Sequence, residues 1–80
     1  MRLSNIIFYK ESWGIQNVIQ KVHDADKVPN VDEIVVLQIG DDYDFYKVLE
    51  RVFDYADDIV HLRVEKSARC YNLTVMWGMI

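Results

Sequence analysis

The stretch DFYKVLERVFDYA, residues 44–56, decides which fold the sequence predicts. Its apolar residues recur at spacings of three and four, which is the pattern of a helix with one buried face. The opposite side would carry charged residues that can pair one turn apart, Lys47 with Glu50 and Arg51 with Asp54. The sequence therefore predicts an amphipathic helix whose apolar stripe consists of Phe45, Val48, Leu49, Val52, Phe53 and Ala56.

The preceding stretch, IGDDYDFY at residues 39–46, has two interpretations. Carboxylates beyond the end of a strand are suitable ligands for Mg²⁺ or Ca²⁺, and ligands of open α/β sheets bind at that end. Asp is equally typical of a helix N-cap and first turn, where it accepts backbone N–H groups. We favour the helix start and keep a metal site at Asp41, Asp42 and Asp44 as the alternative.

Four other stretches predict strands. NIIFYK (5–10) is short and rich in β-branched and aromatic residues, and EIVVLQI (33–39) is a nearly unbroken apolar run of strand length. IVHLRVEK (59–66) alternates strictly between apolar and polar residues, with His61 on the polar side. Residues 70–80 alternate again after a short turn, which predicts an antiparallel hairpin with the strand before them.

A second helix is expected between the first two strands, because Ile15, Val18, Ile19 and Val22 follow helical spacing. The predicted order is therefore β-α-β-α-β-β, with the first three strands parallel, since strand–helix–strand connections are right-handed. We expect a single domain over residues 1–80, an α/β (α+β) two-layer sandwich with two helices covering one face of a four-stranded mixed sheet. The open face would form a homodimer through Leu73, Val75, Trp77 and Met79.

The net charge of −4 is distributed unevenly. Residues 24–58 contain eleven acids against Lys27, Lys47 and Arg51, whereas the flanking segments are weakly basic. The predicted topology brings seven of these acids to one end of the sheet, which we call the acidic end: Asp24, Asp26, Asp32, Glu33, Asp54, Asp57 and Asp58. This charge disfavours direct nucleic-acid binding and predicts docking of a basic protein surface, including one that normally holds nucleic acid.

The remaining features exclude several classes of function. Three scattered glycines form no phosphate-binding loop, and the two histidines and single cysteine form no zinc-binding pattern. Cys70 has no disulfide partner, the N-terminus does not look like a secretory leader, and no apolar run approaches the ~20 residues of a membrane span. We therefore expect a cytoplasmic, non-catalytic binding module without a cofactor and without a membrane partner.

Two other functions stay open at this point. One is a ligand- or divalent-metal-binding regulatory domain that uses the turn from Gly40 to Asp44. The other is a small enzyme, although the sequence identifies no general base for it. The tyrosines at 43, 46 and 55 lie off or at the rim of the predicted helical stripe, as cover for the core edge or as anchors of a protein interface.

Overall fold

The computed structural model describes residues 4–67, and these residues form one curled sheet of five strands. The strands are β1 (Ser4–Lys10), β2 (Val18–Ala25), β3 (Ile34–Ile39), β4 (Asp42–Asp54) and β5 (Ile59–Lys66). Their order across the sheet is β2-β1-β5-β4-β3. β1 and β5 pair in parallel, and every other neighbouring pair is antiparallel. Within this range the helical structure is limited to one 3-10 turn, Ile15–Asn17.

The predicted α/β sandwich is wrong, because residues 44–56 form most of β4 and the start of the next turn rather than a helix. Tyr46 and Val48 face the core, and a bulge between Val48 and Glu50 then shifts the alternation by one residue. Beyond the bulge, Phe53 returns to the core side, opposite Val60 on β5. Apolar residues on both faces, together with this shift, produce the helix-like spacing of the stretch.

The first predicted helix is wrong for the same reason. Residues 18–25 form β2, and its register with β1 shifts between Phe8 and Tyr9. Ile19 lies in that irregularity and packs against the core together with Val22, although the two are three residues apart. Ile15, the first residue of the predicted stripe, lies in the 3-10 turn and is 87% exposed.

The curled sheet supplies its own second layer in place of the predicted helices. β2 and β3 lie at opposite edges of the sheet, yet the Gln38 backbone N–H donates to Gln20 Oε1 at 3.1 Å. The inner face encloses a core of Ile6, Phe8, Leu37, Tyr46, Val48, Val60, Leu62 and Val64. Tyr46, which the sequence places off the buried stripe, is a core residue.

The three strands expected from the sequence are β1, β3 and β5, and they run in the same direction. β4 lies between β3 and β5 and is antiparallel to both. The expected hairpin over residues 70–80, including Leu73, Val75, Trp77 and Met79, lies outside the described residues. Between residues 4 and 67, no helix has the length and apolar character needed to cross a membrane.

Candidate functional site

The acids of the acidic end lie in the β2–β3 and β4–β5 connections and at the ends of β2 and β4. Both connections lie toward the same end of the sheet, because β2 and β4 run opposite to the other three strands, but β3 begins beside the middle of β4. The seven carboxylates of the acidic end are exposed, except that of Asp54, which is half-buried. Asp24 and Asp54 lie on β2 and β4, the two strands that were predicted to be helices.

The structure separates six of these seven acids into two groups, and Asp26 follows the end of β2. Ala25 lies opposite Ser4, and Ile59 lies beside Asn5 and opposite Asp54, so Asp24, Asp54, Asp57 and Asp58 surround the start of β1. We call these four residues the acidic cluster. The Asp32 N–H instead donates to the carbonyl of Val48, which places Asp32 and Glu33 roughly 20 Å from Asp54 along β4.

Backbone shape explains why short polar residues occupy several of these positions. Asp24, Asp32 and Asp58 have φ of 58°, 74° and 60°, a left-handed conformation that Asp tolerates better than most residues. Asp54 Oδ1 accepts the N–H groups of Ala56 and Asp57 at 3.1 Å each and thereby closes the β4–β5 turn. Asn or Gly would serve the left-handed positions equally well, so the negative charge itself is left unexplained by the fold.

Asp54 also ends a hydrogen-bonded chain that connects three adjacent strands. The Tyr9 hydroxyl lies 2.7 Å from His61 Nδ1, and His61 Nε2 lies 3.4 Å from Asp54 Oδ2. A carboxylate only accepts, so Nε2 carries the hydrogen, and in the neutral imidazole Nδ1 then accepts from the Tyr9 hydroxyl. The Asp57 N–H, followed by the contact with His61, lowers the pKa of Asp54 below its ordinary value.

The outer face of the sheet carries a groove of about 510 Å³ next to this chain. Its floor includes Ile7, His61 and Val52. Trp13, Gly14 and Ile15, from the loop between β1 and β2, form a wall over the floor, and the Trp13 ring meets the Tyr9 ring edge-on at 5.1 Å. Sequence reasoning missed this groove, because it depends on pairing between residues as far apart as Tyr9 and His61.

The predicted helix start at residues 41–44 is wrong. Gly40 and Asp41 form the two-residue turn between β3 and β4, where Gly40 has φ of 63°. Asp42 and Asp44 lie in β4, and the Asp44 carboxylate is 3.8 Å from the Lys66 ammonium. Over residues 4–67, no group of three or more His, Cys, Asp or Glu side chains is placed to hold a metal ion.

Comparison with known proteins adds no further constraint on the site. No protein-family model matches the chain, and neither the curated proteins nor the solved structures contain a significant match. The case for a function therefore depends on the geometry of this molecule alone.

Proposed function

We propose that this chain is a non-catalytic binding module that docks a basic surface of a partner protein through its acidic end. The observation that supports this best is the convergence of the acidic cluster around the start of β1. Asp24, Asp26 and Asp57 have no ion pair among residues 4–67, so their charge is not neutralised within that part of the chain. Such a surface attracts cations and accelerates encounter with a basic partner.

Exposed aromatic side chains next to the acidic cluster support a protein partner. Tyr55 is 88% exposed and stacks on Phe53, with ring centroids 6.4 Å apart, while the Arg51 guanidinium lies 5.1 Å from the Phe53 centroid. Aromatic residues are enriched among the side chains that dominate binding energy at interfaces. Phe53 and Tyr55 would therefore supply apolar contact, while the carboxylates select a basic surface.

The test compares two variants that lose the same charge at opposite ends of the sheet. Asp57→Asn/Asp58→Asn removes two charges from the acidic cluster, and Asn retains the left-handed conformation needed at residue 58. Asp41→Asn/Asp42→Asn removes two charges at the β3–β4 turn. A partner captured from lysate of the source cells and then purified should bind the first variant about tenfold more weakly than wild type.

The control variant should bind that partner like the wild type, and wild-type affinity should fall as salt is added. Equal losses in both variants, or an affinity that does not change with salt, would contradict docking through the acidic end. Isothermal titration calorimetry at two ionic strengths provides both comparisons.

The remaining aspects of this function are part of the same proposal. We place the interaction in the cytosol, where Cys70 would stay reduced, and we expect neither nucleic acid nor membrane as a direct partner because their phosphates carry the same sign of charge. The homodimer remains a prediction, which the elution volume on a calibrated sizing column would test. Two alternative functions were a ligand or metal site at the Gly40–Asp44 turn and a small enzyme with an unidentified general base. No contact described above favours either of them.

A further inference from the structure

The outer-face groove is assembled from four strands and one loop. The pairing register aligns Lys21, Ile7, His61 and Val52 in one row across β2, β1, β5 and β4. The loop after β1 rises beside this row and places the Trp13 ring against Tyr9. The groove therefore has a flat apolar floor, one aromatic wall and an edge strand that carries Lys21.

The charge of the groove differs in sign from that of the molecule as a whole. Among the described residues that line the groove, Lys21 alone has a formal charge when His61 is neutral, and none contributes a carboxylate. The Lys21 ammonium has no ion pair among the residues that the structure describes. A single unpaired cation beside an apolar surface is complementary to a ligand that has an apolar body and one negative charge.

The dimensions of the groove favour a small molecule. Ligand sites for small molecules typically enclose about 300–1,000 Å³ and combine apolar walls with a few polar groups, and this groove has about 510 Å³. Neighbouring strands are about 4.8 Å apart, so Lys21 and His61, which are two strands apart, lie roughly 10 Å from each other. This span accommodates a bicyclic aromatic ring system with one carboxylate.

We propose that the groove binds a small aromatic monocarboxylate. The carboxylate pairs with the Lys21 ammonium, and the ring lies on Ile7 between the Trp13 wall and His61. The hydrogen bonds of His61 to Tyr9 and Asp54 hold the imidazole in one orientation at the end of the floor. This site is separate from docking through the acidic end, and neither proposal depends on the other.

The test uses naphthoate as the probe and its uncharged amide as the matched ligand, with the full chain in both cases. In two-dimensional NMR, naphthoate should shift the backbone amides of residues 7, 13–15 and 52. Lys21→Met removes the charge and keeps an apolar stem, and it should weaken naphthoate binding about three- to tenfold. The amide should bind wild type and Lys21→Met equally.

The matched control is Lys10→Met, since Lys10 is exposed and faces away from the groove on the alternate side of β1. It should leave naphthoate affinity unchanged. The proposal is overturned if naphthoate at saturating concentration shifts no backbone amide of the groove. That result would mean that the groove is filled by another part of the chain, by a second copy or by nothing. Equal affinity of wild type and Lys21→Met for naphthoate overturns it as well.

Discussion

Asp54 shows most clearly how one side chain can have several roles in this molecule. One carboxylate oxygen closes the β4–β5 turn, and the other lies beside His61 in the chain that begins at Tyr9. The same residue belongs to the acidic cluster and adjoins the floor of the groove through His61. Its neighbours lower its pKa, so the charged form is favoured in the folded state.

Replacing Asp54 by Asn should change how stability depends on pH. Because the pKa of Asp54 is lowered on folding, its contribution is fully present above the unfolded value of about 3.9 and is lost as pH falls through the folded value. The melting temperature of Asp54→Asn should therefore be lower than wild type at neutral pH, and the difference should shrink as pH falls below about 4. Asn keeps an oxygen that can accept the N–H groups of the turn. The pH-dependent part of the difference in melting temperature therefore reports the effect of the lost charge.

Thermal unfolding followed from neutral pH to about pH 2 measures this difference. Asp26→Asn is the control, since Asp26 is exposed and makes no hydrogen bond among the described residues. A difference between wild type and Asp54→Asn that stays constant across the whole pH range would contradict the assignment.

At the scale of secondary-structure elements, the sequence predicts β1 and β3 from short β-branched or apolar runs, and β5 from its strict alternation. β2 and β4 were misassigned because each contains a register shift, at Ile19 and at Leu49, that turns a period of two into apparent helical spacing. The seven acids were all predicted at one end of the sheet, whereas Asp32 and Glu33 lie roughly 20 Å from Asp54 in the structure. The groove could not be predicted, because it depends on the pairing of β1 with β5 and the local spacing of residues does not reveal which distant strands pair.

The β3–β4 hairpin offers a direct test at this scale. Gly40 has φ of 63°, and no atom of the described residues beyond its chain neighbours lies within 4 Å of where a side chain would begin, so a substitution there meets backbone strain. Gly40→Val should reduce the free energy of unfolding by about 1–3 kcal/mol, because a β-branched residue disfavours this conformation. Gly40→Asn should cost less than Gly40→Val, because Asn adopts positive φ more readily than a β-branched residue.

Urea unfolding of the two variants gives both values. If Val and Asn destabilise the protein equally, the turn must have a different backbone conformation from the one described.

At the scale of the whole molecule, one curled sheet encloses the core that two packed layers enclose in most small domains. Most of its core lies on one concave face, and Val48, Leu62 and Val64 are fully buried there. Domains of this size are stable by only about 5–15 kcal/mol, so a single central side chain accounts for a large share of that margin. The outer face carries the groove, polar residues and further apolar side chains such as Val36 and Phe45.

Leu62→Ala should lower the free energy of unfolding by about 2–5 kcal/mol, because Leu62 is 0% exposed and its removal leaves a cavity that the sheet cannot easily close. Val52→Ala, on the outer face and 44% exposed, should cost less than about 1 kcal/mol. Urea denaturation curves of both variants test the assignment of the inner face. Similar costs at the two positions would show that the core lies elsewhere.

The parallel pairing of β1 with β5 has a consequence for the kinetics of folding. β1 with β2, and β3 with β4 and β5, are chain neighbours that can pair quickly, whereas Tyr9 and His61 are 52 residues apart. Closing that long loop costs conformational entropy, and contacts between β1 and β5 offset this cost only after the loop has closed. We therefore expect β1 to pair with β2, and β3 with β4 and β5, before β1 pairs with β5. The groove and the acidic cluster form only in that last step.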